Sequence, residues 1–326
     1  MIVTKTPVRV SFLGGGSDLP NFYAEEDGGV VTTAINKYVY INVKKKFDDS
    51  LRLSYSVTET VDNTTEIKHD LVRAALEYFG IMKSIEITSI SDLPSNGTGM
   101  GSSSAFLVGL LNALYCYTSR PVDKETLADR ACMIELDLLK KPIGKQDQYI
   151  AAYGGFNYIA FHGDGSVTVE PILCSPETIK ELEDNILLLY TGITRPADVI
   201  LKQQSENTLT DSHIKASIRE MVAMAKELRG NLSVGNLSDL GRMLHEAWML
   251  KSKFTKNTTN GFIDECYATA KRSGALGGKL LGAGGGGFLL IYADPDVQER
   301  IKQAMPSLRA LKISLGATGS SLVYRD

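Results

Sequence analysis

The segment 94–105, PSNGTGMGSSSA, places three glycines before three serines and an apolar run. This pattern predicts a loop and then a helix beginning near residue 102, whose first N–H groups are unpaired and partly positive. Glycines before the helix let a phosphate approach the backbone, and serine hydroxyls in the first turn can cap the helix, contact phosphate oxygens or bind Mg²⁺. The segment therefore indicates an anion-binding site, although a serine-capped loop without a ligand has the same local pattern.

Two further glycine clusters lie at 14–16 and 282–287. The first follows a predicted strand and can form a second anion-binding nest. The second lets a loop pack closely on neighbouring backbone, which a crowded turn would also require. The spacing G-x-G-x-G at 97–101 is not the dinucleotide fingerprint, and the sequence contains no P-loop motif.

Glu135 lies on a predicted helix at 123–139, in one stripe with Ala128, Cys132 and Leu139. A carboxylate on an apolar face is costly to bury unless it is paired. The sequence leaves two partners open for Glu135, a bound metal ion or a nearby lysine or arginine.

The elements that must position these residues form an α+β pattern. Strands are predicted at 8–13, 38–46, 51–55 and 84–94, in a hairpin at 154–172, at 185–192, directly after the third glycine cluster, and as two terminal strands. Helices are predicted at 67–79, 102–117, 123–139, 197–208, 213–229, 236–252, 259–273 and 294–304. The change of character near residue 185 predicts two domains, 1–185 and 186–326.

Composition narrows the class of protein. The 326 residues carry a formal net charge of −3, which disfavours nucleic acid and anionic membranes as main partners. The sequence has no signal-type apolar core and no run of about 18 apolar residues. Four cysteines without a C-x-x-C pair indicate reduced thiols, and four separated histidines form no zinc motif. We therefore expect a cytoplasmic protein with no membrane or nucleic-acid partner.

Three segments, in this order, resemble the three motifs of the GHMP kinase superfamily, which is named for galactokinase, homoserine kinase, mevalonate kinase and phosphomevalonate kinase. They are TPVRVSFLGGGSDLP at 6–20, LPSNGTGMGSSSAF at 93–106 and KLLGAGGGGFLL at 279–290. The resemblance covers nearly the whole chain. It implies a two-lobed α+β fold with a ribosomal-S5-like N-terminal domain, a ferredoxin-like C-terminal domain, and ATP and a sugar in the cleft between them.

The first motif reads GGGSDLP where the family usually continues with Gly-Glu-His. With GALGGKLLGAGGGGF at 274–288, it is most similar to the subgroup of bacterial D-glycero-D-manno-heptose 7-phosphate kinases. This resemblance implies phosphorylation of the anomeric hydroxyl to give the 1,7-bisphosphate, for nucleotide-activated heptose and surface polysaccharide. The alternatives are a fucose- or galactose-type 1-kinase, a diphosphomevalonate decarboxylase and a non-catalytic sugar sensor of the same fold.

The resemblance also implies ATP and Mg²⁺ as cofactors. The residues that match the family's nucleotide loop are Pro94, Gly97, Gly99, Met100, Gly101, Ser102, Ser103 and Ser104. Ser103 is implied as the Mg²⁺ hydroxyl ligand, with Ser102 or Ser104 as alternatives, and Glu135 as the carboxylate ligand.

Two residues receive catalytic roles from the resemblance. Asp147, in PIGKQDQYIAAYGG at 142–155, matches the Asp of the family's Gly-x-x-Asp-Gln and is implied as the general base for the acceptor hydroxyl. It can alternatively only hold the substrate or cap a turn. Arg9 occupies the position of a cation that stabilises the transferring phosphoryl group, with a surface arginine at a strand edge as the alternative.

The implied substrate residues lie at the end of the first motif, after the strand near 190 and within the third motif. They are Gly15, Gly16, Ser17, Asp18, Arg195, Gly284 and Gly285. Asp18 is expected to bind a sugar hydroxyl and Arg195 a sugar phosphate. Lys279 either reaches a phosphate group of a bound substrate or is solvated. The face of helix 236–252 near Lys251 can border the substrate pocket. The expected partner is a small sugar phosphate, and the expected state is a monomer or homodimer.

Overall fold

The strands form two sheets in the computed structural model, which describes residues 1–94, 97–194 and 197–326. In chain order the strands are β1 (Ile2–Leu13), β2 (Gly28–Lys45), β3 (Leu51–Ser54), β4 (Thr58–Val61), β5 (Ile85–Ser91), β6 (Phe156–Phe161), β7 (Val167–Pro171), β8 (Ile186–Tyr190), β9 (Gly277–Leu280), β10 (Phe288–Tyr292), β11 (Arg309–Leu311) and β12 (Ser321–Arg325).

The helices pack on both sheets. They are α1 (Pro20–Tyr23), α2 (Asp70–Phe79), α3 (Ser102–Tyr117), α4 (Lys124–Cys132), α5 (Gln146–Tyr153), α6 (Pro176–Asn185), α7 (Ala197–Thr210), α8 (Ser212–Ser233), α9 (Leu240–Lys251), α10 (Gly261–Arg272) and α11 (Pro295–Ala304). A π-helical segment, Met133–Leu138, continues α4. Within the described ranges, none of the helices has the length and apolarity needed to cross a membrane.

The first sheet is organised around β2, a strand of 18 residues. The first half of β2 pairs with β6 and the second half with β5, while β1 runs antiparallel beside both halves. The sheet order is β12-β1-β2-β5-β3-β4, and β6 and β7 extend from β2. The apolar helix α3 packs on β1 and β2, and this packing fixes the N-terminus of α3 beside β1.

The second sheet is antiparallel, with the order β11-β8-β10-β9. This order and the β-α-β-β-α-β sequence of its strands and helical segments are those of a ferredoxin-like domain, as predicted. A separate core around Trp248, Leu289 and Ile291 lies on this sheet. The last strand, β12, returns to the first sheet and pairs there with β1. The division of the chain into domains 1–185 and 186–326 stays a prediction.

Most predicted elements are present, but β2 begins at Gly28 rather than near residue 38, and the helix predicted at 123–139 also differs. The elements that the sequence does not predict are α1, β4, α5, α6 and β9. The helix predicted at 123–139 ends as an α-helix at Cys132, and the π-helical segment that follows carries Glu135. Such segments add one residue to a helical turn and are frequent at functional sites. The sequence does not predict α5, because its eight residues are followed by Gly154 and are too few to show a helical period.

Candidate active site

A cavity of about 530 Å³ lies where the three glycine-rich segments meet, between the first sheet and the helices α7 and α9. The cavity wall includes the predicted residues Arg9, Gly15, Gly16, Asp18, Gly97, Gly99, Gly101, Ser102, Ser103, Ser104, Glu135 and Asp147. The structure therefore brings together residues that are separated by more than 130 positions in the chain.

The loop before α3 needs its glycines. Gly97, Gly99 and Gly101 have φ values of 69°, 73° and 73°, in the left-handed region that side chains disfavour. Gly101 is the N-cap of α3, so the first turn of that helix begins on the cavity wall with its N–H groups unpaired. The Met100 carbonyl accepts a hydrogen bond from the Arg9 N–H at 3.0 Å, which joins the loop to β1.

The third glycine cluster packs against the backbone of this loop. A Cβ at Gly99 would collide with the Leu281 carbonyl, and a Cβ at Gly282 would collide with the backbone of Gly99. The Phe288 N–H also donates to the Thr98 carbonyl at 3.2 Å. Close backbone packing therefore explains this cluster, whose members on the cavity wall are Gly282 and Ala283.

Arg9 and Asp147 form a bidentate ion pair on the cavity wall. The Arg9 Nε–H donates to Asp147 Oδ1 at 2.7 Å, and Nη2–H donates to Oδ2 at 2.9 Å. The Arg9 Nη1–H donates to the Gly99 carbonyl, so the guanidinium also contacts the glycine loop. The Arg9 side chain is 5% exposed and that of Asp147 is 23% exposed, so the carboxylate is the accessible member of the pair. Arg9 is thus not a surface arginine.

Replacing Gly101 by alanine tests the contact between the loop and this pair. A Cβ at Gly101 would lie 3.1 Å from Asp147 Cγ and 3.4 Å from Arg9 Cγ. We expect Gly101→Ala to lose about 1–2 kcal/mol of unfolding free energy from left-handed strain. We also expect about a 10- to 100-fold loss of kcat, because small displacements of catalytic groups have effects of that size.

Gly80→Ala is the matched control for this substitution. Gly80 is the C-cap of α2, its φ is 69°, and a Cβ there would contact nothing within 4 Å. Thermal unfolding should shift similarly in both variants, whereas steady-state kinetics should change only for Gly101→Ala. Equal kcat in the two variants would show that the loop does not position the ion pair.

Glu135 is buried at 1% exposure, as its place on an apolar stripe predicts. Its Oε2 accepts hydrogen bonds from the Ser104 hydroxyl at 2.8 Å and from Gln148 Nε2 at 2.6 Å. Among the described residues it has no ion pair within 4 Å, and burial raises its pKa to about 7. A buried carboxylate with only neutral donors fits a site that receives a cation.

The donor set around Glu135 fits Mg²⁺ that is delivered with a nucleotide. Mg²⁺ in kinases uses one or two protein oxygens together with phosphate oxygens and waters. The Ser104 hydroxyl is hydrogen-bonded to the Glu135 carboxylate, and the Ser102 hydroxyl is hydrogen-bonded to that of Thr98. Ser103 is exposed on the cavity wall. No group of three or more His, Cys, Asp or Glu side chains suited to a metal occurs among the residues described. Ser103 is the exposed hydroxyl and Glu135 the buried carboxylate at this place, and these two residues would hold the ion together with phosphate oxygens.

Asp18 forms the wall of the cavity beyond the ion pair. Its carboxylate accepts from the Gly16 N–H at 3.2 Å and the Gln146 N–H at 3.4 Å. Burial, and to a smaller extent the charge of Asp147, raise the pKa of Asp18. Two nearby wall atoms, Ser11 Oγ and Gln146 Oε1, are buried and have no hydrogen-bond partner within the described ranges. Such unpaired polar atoms on a cavity wall suit a ligand with several hydroxyls.

A second cavity of about 390 Å³ adjoins the first and shares Ser102, Ser103 and Lys141 with it. Its wall is partly aromatic. The His69 ring stacks on Phe106 at 5.1 Å between centroids and meets the Tyr55 ring edge-on at 4.8 Å. The N-terminus of α3 therefore stands between an aromatic cavity and the cavity that contains the ion pair.

The structure does not bring every predicted site residue to the cavity. The Ser17 hydroxyl is fully buried and donates to the Gly14 carbonyl at 2.7 Å, because it closes the turn of the first glycine cluster. Met100 is a core side chain, and Pro94 is exposed outside the cavity wall. The other residues away from the wall are Gly284 and Gly285, which pack on Thr258. Arg195 lies outside the described residues.

Some wall residues are missing from the sequence prediction. Ser11 lies two positions after Arg9 in β1, and the two-residue period of a strand would have placed it on the same face. Asp198 and Gln204 reach the wall from α7. No sequence signal marks them, because their position depends on how α7 packs beside the first glycine cluster.

Family models match both halves of the chain. The model for the GHMP kinases N terminal domain matches residues 67–155, and the model for GHMP kinases C terminal matches residues 223–310. The first match includes the glycine loop, Glu135 and Asp147, and the second includes the third glycine cluster. The two-lobed α+β fold that the motifs predict is confirmed.

Individual proteins are similar over most of the chain. A D-glycero-alpha-D-manno-heptose 7-phosphate kinase of Campylobacter jejuni is 28% identical over 316 residues, covering 93% of each chain. A bifunctional fucokinase/GDP-fucose pyrophosphorylase of Arabidopsis thaliana is 28% identical over 324 residues, and the present chain spans 30% of that longer protein. A crystal structure of a D-glycero-D-manno-heptose 1-phosphate kinase from Bacteroides thetaiotaomicron superposes with a TM-score of 0.81 at 22% identity, covering all of both chains. That structural likeness establishes the fold.

Proposed function

This chain belongs to the GHMP kinases and is an ATP-dependent phosphotransferase, and from that premise we propose its substrate and site roles. It phosphorylates the anomeric hydroxyl of D-glycero-D-manno-heptose 7-phosphate and gives the 1,7-bisphosphate and ADP. The reaction uses Mg²⁺ and takes place in the cytoplasm, and the enzyme is a monomer or a homodimer. Its product supplies nucleotide-activated heptose for surface polysaccharide.

The position of the Arg9–Asp147 pair at the N-terminus of α3 carries this proposal. Gly101 is the N-cap of α3, and its Cα lies so close to Asp147 that one added methyl group would be 3.1 Å from the carboxylate carbon. Phosphate groups bound at the start of the helix therefore lie next to a carboxylate that can receive the acceptor hydroxyl.

The adjoining cavities divide the substrates between them. The adenosine of ATP occupies the aromatic cavity at His69 and Phe106, where a planar base can stack. The triphosphate crosses the N-terminus of α3 along Ser102 and Ser103, the residues common to both cavities. The acceptor lies beyond the ion pair, against Asp18.

Asp147 and Arg9 act on the acceptor hydroxyl and on the transferring phosphoryl group. The acceptor hydroxyl donates a hydrogen bond to Asp147, and its oxygen attacks the γ-phosphorus in line with the β,γ-bridging oxygen. The new O–P bond forms as the P–O bond to ADP breaks, and the hydroxyl proton passes to Asp147 and then to solvent. Arg9 holds Asp147 by two hydrogen bonds and places positive charge beside the transferring group. Ser103 and Glu135 would hold Mg²⁺, and the ion would supply positive charge that neutralises the phosphates.

The choice of acceptor is supported by the resemblance of the first motif and by the Campylobacter jejuni relative. A panel of acceptors tests it by ADP release. The acceptors are D-glycero-D-manno-heptose 7-phosphate, the same heptose without phosphate, L-fucose, D-galactose and diphosphomevalonate. We expect kcat/KM for the phosphorylated heptose to exceed that for each neutral sugar by about 100-fold or more, because a site built for a charged group rejects analogues that lack it.

Every other outcome of the panel replaces the proposal. Preference for fucose or galactose would give a neutral-sugar 1-kinase, and release of CO₂ would give a decarboxylase. Binding of a sugar without ADP release from any acceptor would give a non-catalytic sensor.

A further inference from the structure

Two lysines from the second half of the chain reach the cavity and are almost completely buried. Lys251, the last residue of α9, is 7% exposed, and Lys279, on β9, is 5% exposed. Both line the cavity that contains the Arg9–Asp147 pair. Buried lysines are rare unless they are paired with an anion, so the burial of both ammonium groups requires an explanation.

Neither ammonium group has a carboxylate within 4 Å among the residues that the structure describes. The Lys251 ammonium donates to the Gly282 carbonyl, and that of Lys279 donates to the Phe12 carbonyl at 2.8 Å. Burial lowers the pKa of Lys251 to about 8 and that of Lys279 well below its ordinary value. An ammonium held by one carbonyl at a cavity wall is positioned for an anionic ligand.

The contacts of Lys251 place it at the reacting end of the nucleotide loop. Gly282, its carbonyl partner, packs directly on Gly99, and the Gly99 carbonyl accepts a hydrogen bond from Arg9. Four charged groups face Lys251, and they are Arg9, Asp18, Asp147 and Lys279. Among the residues that the structure describes, the charges that act on Lys279 are those of the cations Lys251 and Arg9. Lys251 is therefore the lysine that shares the space next to Asp147.

Arg9 uses three of its five N–H donors on Asp147 and Gly99, and Lys251 uses one of its three on Gly282, so two donors remain on each cation. Charge that develops on the phosphoryl oxygens during transfer needs a nearby cation with free donors. We propose that Lys251 is a further catalytic residue, whose ammonium contacts the γ-phosphoryl oxygens of ATP during transfer. The proposal rests on the proposed function. Lys251 keeps its proton throughout and forms no covalent bond.

Nucleotide affinity tests the contact without any acceptor. Binding of AMP-PNP and of ADP, both with Mg²⁺, is measured by calorimetry for wild type, Lys251→Met and Lys251→Gln. We expect the AMP-PNP affinity to fall about 10-fold or more in both variants, because a charge-assisted hydrogen bond to the γ-phosphate is lost. The ADP affinity should stay within about twofold. Unchanged AMP-PNP affinity, or equal losses for both nucleotides, overturns the proposal.

Lys253→Met is the matched control, because Lys253 is an exposed lysine just after α9 and is not on the cavity wall. Its nucleotide affinities and kcat should equal those of wild type. Lys251→Met should keep or raise the melting temperature, because it removes a buried ammonium without a carboxylate partner. A melting temperature lowered in Lys251→Met, with kcat unchanged, would assign Lys251 a structural role.

Turnover with whichever acceptor is active gives a second readout. We expect Lys251→Met and Lys251→Gln to lose about 100-fold in kcat, since glutamine can still donate to Gly282 but carries no charge. Recovery of kcat in Lys251→Gln overturns the proposal. Wild-type kcat/KM for ATP, which reports the free enzyme, should fall above pH 8, and Lys251→Arg should move that decline to higher pH. If wild type turns over no acceptor, the proposed function fails, while the AMP-PNP comparison still decides the role of Lys251.

Discussion

Asp147→Asn is expected to lower kcat by about 10²- to 10⁴-fold, the usual size of a general acid–base contribution. The substitution keeps the shape of the side chain and leaves one oxygen to accept from Arg9, but it removes the charge that pairs this buried guanidinium, so the melting temperature is measured together with the kinetics. The substitution also removes the atom that takes the proton of the acceptor hydroxyl. The KM values for ATP and acceptor should therefore stay within about threefold, because the loss concerns mainly the transition state.

Asp296→Asn is the matched control for this prediction. Asp296 also lies in the first turn of a helix, α11, but it is exposed and away from the cavity. Steady-state kinetics should be unchanged in this control. A raised KM for the acceptor with unchanged kcat in Asp147→Asn would show that Asp147 only holds the substrate.

Glu135→Gln is expected to have opposite effects on stability and on activity. Without nucleotide, wild type buries a carboxylate whose pKa is raised to about 7 by that burial. Glutamine has a similar shape and no charge, so the variant should be more stable above pH 7 by about 3 kcal/mol, because burial raises the pKa of Glu135 from 4.5 to about 7. The same change removes the carboxylate proposed for Mg²⁺, and kcat should fall by about 10²- to 10³-fold.

The pH dependence gives the sign of the stability effect. The folded state holds the Glu135 proton more tightly than the unfolded state, whose pKa is near the ordinary value of 4.5. This group therefore lowers the unfolding free energy of wild type as pH rises from about 4.5 to about 7. The difference between Glu135→Gln and wild type should disappear as pH falls through that window.

Chemical denaturation of the nucleotide-free proteins at pH 5 and pH 8 measures the difference. Glu77→Gln is the control, because Glu77 is an exposed glutamate on α2. A Glu135→Gln variant that is less stable than wild type at pH 8 would contradict the account, because Glu135 would then be stabilised by neutral hydrogen bonds alone. Full activity in the variant would remove Glu135 from the metal site.

Much of the fold follows from local sequence signals. The strand β8 and the helices α3 and α11 are predicted within a few residues, because apolar periodicity and glycine boundaries mark them. The pairing of β12 with β1 is not predictable in this way, since it joins the two ends of the chain. The π-helical segment at Glu135 is also invisible to a period of 3.6 residues.

Some residues of the site can be predicted from the sequence and others cannot. The sequence predicts Arg9, Glu135 and Asp147, because motifs and an apolar stripe single them out. It does not predict that the third glycine cluster supports the loop through Gly99, or that Gln204 lies beside Gly16, since these contacts arise only when distant segments pack. Lys251 carries a weak sequence signal, because an isolated lysine on a helix face is usually solvated.

A crystal structure with AMP-PNP, Mg²⁺ and D-glycero-D-manno-heptose 7-phosphate tests the central claim most directly. The account predicts the triphosphate along residues 97–104 at the start of α3. It also predicts the γ-phosphorus about 3–3.5 Å from the anomeric oxygen, which would lie within hydrogen-bond distance of Asp147. A nucleotide bound elsewhere, or an acceptor hydroxyl turned away from Asp147, would contradict it.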